Sequence, residues 1–312
     1  MREFIGLNRV CVPLSMDCDL SCRYCYRNAG RIPVVPEMND LMREYISQLD
    51  PTKTQALVAS GGEPLLHFDK VKELFSYAPK GQLKRVMTNG LNLTPEIVKF
   101  LNDGYTETLL SHDGDITEWL RGADVLRDPE LKKLIMGIDH LTVSCCCTAK
   151  NPDPYQCYLQ IKKLLDRPFY FHWNAVFADK FIPKELVENF DYAALQAGAA
   201  HCIVMGLDWQ NPVPRWYRGI DVNVLPNGDL VGMCEIHHKY GTVLSTYEEV
   251  IEAKKRLGDY SPCQDSQCPI YKACNGKAHN KSAHFCEYSK RRAVVWHAVR
   301  NSEQNNGFEV CV

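Results

Sequence analysis

Short apolar runs rich in β-branched residues alternate along this chain with amphipathic stretches of helical period, the pattern of successive βα units. Residues 10–14, 56–59, 83–87, 108–111, 141–147 and 169–177 predict six strands. Between them, residues 41–49 predict a helix with Leu41, Tyr45, Ile46 and Leu49 on one face, and 71–77 a second. A third, over 95–101, follows Thr94, an N-cap residue with proline at the first helical position. Helices are also expected around 158–165 and over 186–196, and Asn89–Gly90 marks a turn after the third strand. Six βα units imply an α/β fold, a partial (β/α)6 TIM-like barrel with its chemistry at the carboxyl ends of the strands.

The pattern changes near Asn211, where Pro212 and Pro214 interrupt it. A β-hairpin is expected next, with 222–225 and 230–233 flanking Pro226-Asn227-Gly228-Asp229. The tail beyond is cysteine-rich and loop-like. The expected division is a barrel over 1–210 and a small cysteine-rich domain over 211–312 that opens with the hairpin.

Charge and composition narrow the function. With 36 basic and 38 acidic residues the net charge is −2, which gives no support for nucleic-acid binding. The basic run Lys290-Arg291-Arg292 is expected to be a solvated helix face. Arg2, Glu3, Asn8 and Arg9 break up the N-terminus as an export signal, and no apolar run approaches the ~18 residues of a membrane span. The chain has 15 cysteines, an odd number for complete disulfide pairing. Thiols in such number without a secretory signal point to metal in a reducing compartment, so a cytoplasmic location is expected.

Cys18, Cys22 and Cys25 directly follow the first predicted strand, with three and then two residues between them. Three thiolates on one loop can hold three irons of a cubane cluster and leave the fourth open to a small bidentate ligand. After the second strand comes Ser60-Gly61-Gly62-Glu63-Pro64. Its glycines let backbone approach a ligand, and its carboxylate can accept from an ammonium group. The third strand ends in Thr88-Asn89-Gly90, and the fourth in Ser111-His112-Asp113-Gly114 with Arg121 following. His112 would face away from Ser111 on a strand and is placed outside the site. Cys145, Cys146 and Cys147 are adjacent on a strand, so they cannot all ligate one cluster. They are expected to be small buried residues, like Cys11, Cys157, Cys202 and Cys311. Ser144 is a weak candidate for a ribose contact.

The stretch MDCDLSCRYCYRN resembles the signature of the radical S-adenosylmethionine superfamily. The resemblance implies a 4Fe-4S cluster on Cys18, Cys22 and Cys25, with S-adenosylmethionine bound to the open iron through its amino and carboxylate groups. It implies that Gly61, Gly62, Glu63 and Pro64 hold the cofactor's amino group and that Tyr24 lies beside its adenine. It further implies that Ser111, Asp113 and Arg121 reach its ribose and carboxylate. The family's chemistry is reductive cleavage of the cofactor to a 5′-deoxyadenosyl radical, which abstracts a hydrogen atom from substrate. An electron donor such as flavodoxin or ferredoxin is then implied.

The tail carries Cys263, Cys268, Cys274 and Cys286, preceded by Cys234 beside the hairpin. Four thiolates are enough for a cubane or for a zinc site, and His279 and His284 lie nearby. The region resembles the SPASM/twitch extension of radical enzymes, but Ala278 stands where that pattern has a further cysteine. Four residues separate Cys263 from Cys268 instead of the usual two, and no upstream pair precedes the hairpin. One auxiliary 4Fe-4S cluster is therefore expected on Cys263, Cys268, Cys274 and Cys286, with Cys234 free. Glu235 is the candidate catalytic base. Such a tail is frequent in enzymes that modify ribosomally made peptides by crosslink, thioether or epimerisation, and a peptide substrate is the favoured expectation. Only 17 residues precede Cys18, so either a separate leader-binding protein or direct binding is expected to serve such a substrate. The alternatives are an oxidoreductase of sugars or nucleosides and an activator of a glycyl-radical enzyme.

Overall fold

The computed structural model describes residues 6–25, 38–176, 182–205, 207, 219–225, 227–232 and 239–257. The described elements begin with β1 (Gly6–Ser15), α1 (Asp40–Ser47), β2 (Thr54–Gly61), α2 (Phe68–Ser76), β3 (Leu83–Thr88) and α3 (Pro95–Asp103). They continue through β4 (Glu107–Ser111), α4 (Thr117–Arg121), α5 (Pro129–Met136), β5 (Leu141–Cys147), α6 (Pro154–Leu164), β6 (Tyr170–Ala175) and α7 (Tyr192–Val204). The last are β7 (Gly219–Val224), β8 (Asp229–Gly232), β9 (Lys239–Thr242) and α8 (Tyr247–Leu257).

Among the described residues nine strands form one sheet in the order β6-β5-β4-β3-β2-β1-β7-β8-β9. The first six run parallel, as the partial barrel requires, and β7 to β9 form an antiparallel meander. Strand β7 pairs parallel with β1, so the sheet runs on without a break past residue 210.

The pleat sorts residues between two environments. Val10, Val12, Leu57, Ala59, Val86, Leu110, Val143 and Phe171 are buried in the main core under the helices. The other set, Cys11, Ala56, Val58 and Met87, makes a second small apolar cluster. Polar residues share this inner face. Arg85 Nε donates to Glu107 Oε2 at 2.8 Å, and Thr142 Oγ1 donates to Glu107 Oε1 at 2.9 Å. Buried hydroxyl, guanidinium and carboxylate thus satisfy one another across β3, β4 and β5.

Local signals start the helices. Asn39 caps α1, Thr94 caps α3, Asp128 caps α5 and Asp153 caps α6, and the last three have proline in the first turn. The helix expected over 186–196 is displaced. Lys184–Leu186 is a short 3-10 turn, and Asn189 has φ 56°, which breaks helical geometry. Asp191 Oδ1 then accepts from Ala194 N at 2.9 Å, and α7 begins only after this cap. Helices α4, α5 and α8 and strand β9 are absent from the sequence reading. Tyr247 at the start of α8 reaches Thr54 Oγ1 at 2.5 Å, which docks α8 beside the amino end of β2. Among the described residues no helix is long and apolar enough to cross a membrane.

Candidate functional site

The loop that leaves β1 carries Cys18, Cys22 and Cys25, all partly exposed. Its described part is held at several points. Gly62 N donates to Ser15 O and Glu63 N to Asp17 O, each at 2.7 Å. His67 Nε2 pairs with Asp17 Oδ2 at 2.8 Å, and this bond, with one from Ser15, holds Asp17 below the usual carboxylate range. Asp19 is clamped by two amides from the turn after β3: Asn89 Nδ2 on Oδ1 and Asn92 Nδ2 on Oδ2, both at 2.6 Å. Arg23 N donates to Leu120 O at 2.8 Å and Arg23 Nε to Trp119 O at 3.0 Å, so it caps carbonyls at the end of α4. Its guanidinium also lies 4.1 Å from the centre of the Trp119 ring and 3.0 Å from Glu185.

The glycines of the Ser60–Pro64 segment serve this loop. A Cβ on Gly62 would lie 2.0 Å from Asp17 O, and one on Gly61 would lie 2.2 Å from Ser15 O. The sequence reading placed a ligand against the side these glycines leave open; the structure puts the loop backbone there instead.

Glu63 is 1% exposed at the carboxyl end of β2. Its Oε1 accepts from Leu65 N at 3.0 Å and Thr88 Oγ1 at 2.8 Å, and its Oε2 accepts from Asn89 N at 2.7 Å. Burial outweighs these donors and pushes its carboxyl up to about 7. Three donors leave lone-pair capacity on Oε2 for one more.

Asp113 is the second buried carboxylate. Its Oδ2 accepts from Arg121 Nε at 2.7 Å and from the Tyr24 hydroxyl. Its Oδ1 accepts from Arg121 Nη2 at 3.1 Å and Cys146 N at 2.7 Å. Tyr24, from the cysteine loop, is thereby tied to β4, α4 and β5 at once. Burial and the charge of Asp113 push the tyrosine hydroxyl well above its ordinary range. The Arg121 fork, expected to face a ligand carboxylate, spends Nε and Nη2 on Asp113 and stacks 5.4 Å from the Tyr24 ring centre. Ser111 ends β4 level with Ser144 of β5, and Ser144 Oγ lies 3.1 Å from His172 Nδ1. His112 is fully buried outside the site. It pairs with Asp124 at 2.9 Å, and its Nδ1 accepts from Gly114 N at 3.2 Å.

The three adjacent cysteines divide as the pleat requires. Cys145 and Cys147 point into the core with Cys157, while Cys146 faces the site, where its thiol meets Tyr24 and burial pushes it up to about 12. The sequence reading missed Cys146, Asp19, Asn92, Arg23 and His67 as site residues. Cys146 was recoverable from alternation; the others act through partners distant in sequence. Cys234, Glu235, Cys263, Cys268, Cys274 and Cys286 lie outside the described residues, as do His279, His284 and the 290–292 run.

Among the described residues no three His, Cys, Asp or Glu side chains converge on a single-ion site. Thiolates of a cubane each bind a different iron and stand further apart than ligands of one ion, so a loop of three spaced cysteines fits a cluster better than zinc. Residues 12–142, from β1 to the start of β5, match the family model for the Radical SAM superfamily. The similarity covers less than half of the chain and includes the whole cysteine motif.

The match spans Cys18, Cys22, Cys25, Glu63, Asp113 and Arg121. The family implies S-adenosylmethionine and a 4Fe-4S cluster. Native anSMEcpe with bound AdoMet and Cp18Cys peptide superimposes with a TM-score of 0.69 at 17% identity, over 96% of this chain and 99% of that one. SuiB of Streptococcus suis bound to precursor peptide SuiA gives a TM-score of 0.58 at 14% identity, over 87% and 71%. At these identities the likeness shows the fold. The AdoMet-dependent heme synthase of Methanosarcina barkeri is 34% identical over 104 residues. That match covers 32% of this chain and 30% of the curated relative's length.

Proposed function

We propose that this chain is a radical SAM enzyme that modifies a peptide. Cys18, Cys22 and Cys25 would hold the cluster, and Glu63 would receive the ammonium of S-adenosylmethionine on its remaining lone pair. Reduced through the cluster, S-adenosylmethionine supplies hydrogen-atom abstraction from a substrate carbon. The chain's own residues bind and orient. Glu63 and Arg121 carry opposite charges at the carboxyl ends of β2 and beyond β4, matching the ammonium and carboxylate of an amino-acid moiety. Gly61, Gly62 and Pro64 hold the loop and Glu63 in register. Tyr24 packs its ring beside the adenine, Asp113 fixes Tyr24 and Arg121, and Ser111 faces the ribose.

Residues 211–312 are assigned to an auxiliary domain with one 4Fe-4S cluster on Cys263, Cys268, Cys274 and Cys286, and Glu235 to a base near the substrate. The observation that carries the peptide reading is the superposition on a peptide-bound enzyme over nearly the whole of both chains. A small-molecule substrate is the second reading. It is favoured by the 34% identity to a heme synthase, a match confined to 104 residues.

Anaerobic reconstitution followed by iron analysis and turnover tests the proposal. About eight irons per chain are expected from two cubanes. With reductant and S-adenosylmethionine, a short peptide encoded beside the gene should stimulate 5′-deoxyadenosine release and change in mass or gain solvent deuterium. About four irons would remove the auxiliary cluster from the account. Stimulation by a tetrapyrrole or sugar, with none by peptide, would replace the peptide reading by the second.

A further inference from the structure

Asn89 stands where three features of the site meet. Its main-chain N–H donates to Glu63 Oε2 at 2.7 Å. Its side-chain Nδ2 donates to Asp19 Oδ1 at 2.6 Å and lies 4.0 Å from Cys18 Sγ. Its Oδ1 accepts from Leu91 N at 2.9 Å. That bond settles the orientation of the amide, because the oxygen is taken by the turn and the NH2 group must face the cysteine loop.

The turn itself is well fixed. Thr88 Oγ1 donates to Glu63 Oε1 at 2.8 Å and accepts from Gly90 N at 3.0 Å. Gly90 has φ 85°, and a Cβ there would come within 2.8 Å of Leu110 Cδ1. Asn89 therefore has little freedom to swing away from the loop. Asn92, three residues on, is a natural comparison. It clamps the other oxygen of Asp19 at 2.6 Å and, among the described residues, bonds no thiol.

We propose that Asn89 is a positioning residue that couples the Glu63 carboxylate to the Cys18 sulfur, through its peptide N–H on one side and its amide on the other. The inference rests on the reading of Cys18 as a cluster ligand and Glu63 as the ammonium partner. An N–H group aimed at a ligating sulfur stabilises the more negative, reduced cluster, and so raises its reduction potential. A charge placed against Glu63 is felt by the peptide unit that also carries this amide. Affinity at Glu63 and potential at the cluster are then linked, and linkage is reciprocal.

The two functions of Asn89 can be separated, since Asn89→Ala removes the amide and keeps the peptide N–H. The reconstituted full chain is titrated electrochemically, its reduced cluster is recorded by electron paramagnetic resonance, and its S-adenosylmethionine affinity is measured. In Asn89→Ala the cluster potential measured without S-adenosylmethionine should fall, the spectrum should change, and the dissociation constant should rise about tenfold. Asn92→Ala loosens Asp19 but leaves the sulfur contact, so its potential should match wild type. Where Asn89→Ala does not load iron, the isosteric Asn89→Asp replaces the donor by an acceptor and should shift the potential in the same direction. A wild-type potential and spectrum in both loaded Asn89 variants would overturn the proposal. So would an equal shift in Asn92→Ala, which would assign the effect to loop mobility. Iron retained in Cys18→Ala would instead reject the ligand reading on which the proposal rests, so the two failures are distinguishable.

Discussion

Glu63 joins burial, hydrogen bonding and a shifted carboxyl in one side chain. It is buried, takes three hydrogen bonds, and still has its carboxyl pushed up to about 7 from a usual 4.5. The sign of the consequence follows. An acid with a raised folded-state value binds more protons folded than unfolded between about 4.5 and 7, so its contribution to stability falls as pH rises through that window. An ammonium ligand favours the charged form, so its affinity should rise with pH up to about 7 and level off above. The dissociation constant of S-adenosylmethionine should therefore drop about fivefold from pH 6 to pH 7 in the wild type. Glu63→Gln should bind weakly with no such dependence. Parallel profiles for the two proteins would remove Glu63 from ligand binding. Residue types at rare spacing made Cys18, Cys22, Cys25 and Glu63 legible in the sequence. Asp19 was not legible, because its clamps come from residues 70 and 73 positions away.

Among the elements, the end of β2 and the cysteine loop pack backbone against backbone. Gly62 gives its N–H to Ser15 O at 2.7 Å, and a Cβ there would sit 2.0 Å from Asp17 O. Backbone rather than a flexible side chain meets that Cβ, so Gly62→Ala must displace one of the two segments. A cost of about 3 kcal/mol is expected, near the upper end for overpacking, and would show as a fall of roughly 5 °C or more in the thermal midpoint. An unchanged midpoint with normal iron content would contradict this packing. Strands β1 to β6 and helices α1 to α3 were legible from periodicity and caps. Helix α7 was misplaced because its start is set by Asn189 at φ 56° and the cap at Asp191, and not by the apolar pattern that begins at Leu186. Helix α8 was missed because its polar sequence gains its place from docking, with Tyr247 on Thr54.

At the scale of the molecule, a hairpin after residue 220 was legible from its turn residues, but its destination was not. Pairing of β7 with β1 is a long-range contact that no local pattern encodes. That pairing sets the meander beside the strand whose end carries the three cysteines, so the barrel's sheet and the hairpin share β1 as their neighbour. That loop is the proposed seat of a cluster that drives cleavage of S-adenosylmethionine, with Glu63, Asp113 and Asn89 proposed to hold its surroundings. Release of 5′-deoxyadenosine by the anaerobically reconstituted, reduced protein tests this most directly. The wild type should release it, and the Cys18→Ala, Cys22→Ala, Cys25→Ala triple variant should release none above a protein-free control. Release by the triple variant at the wild-type rate would contradict the account.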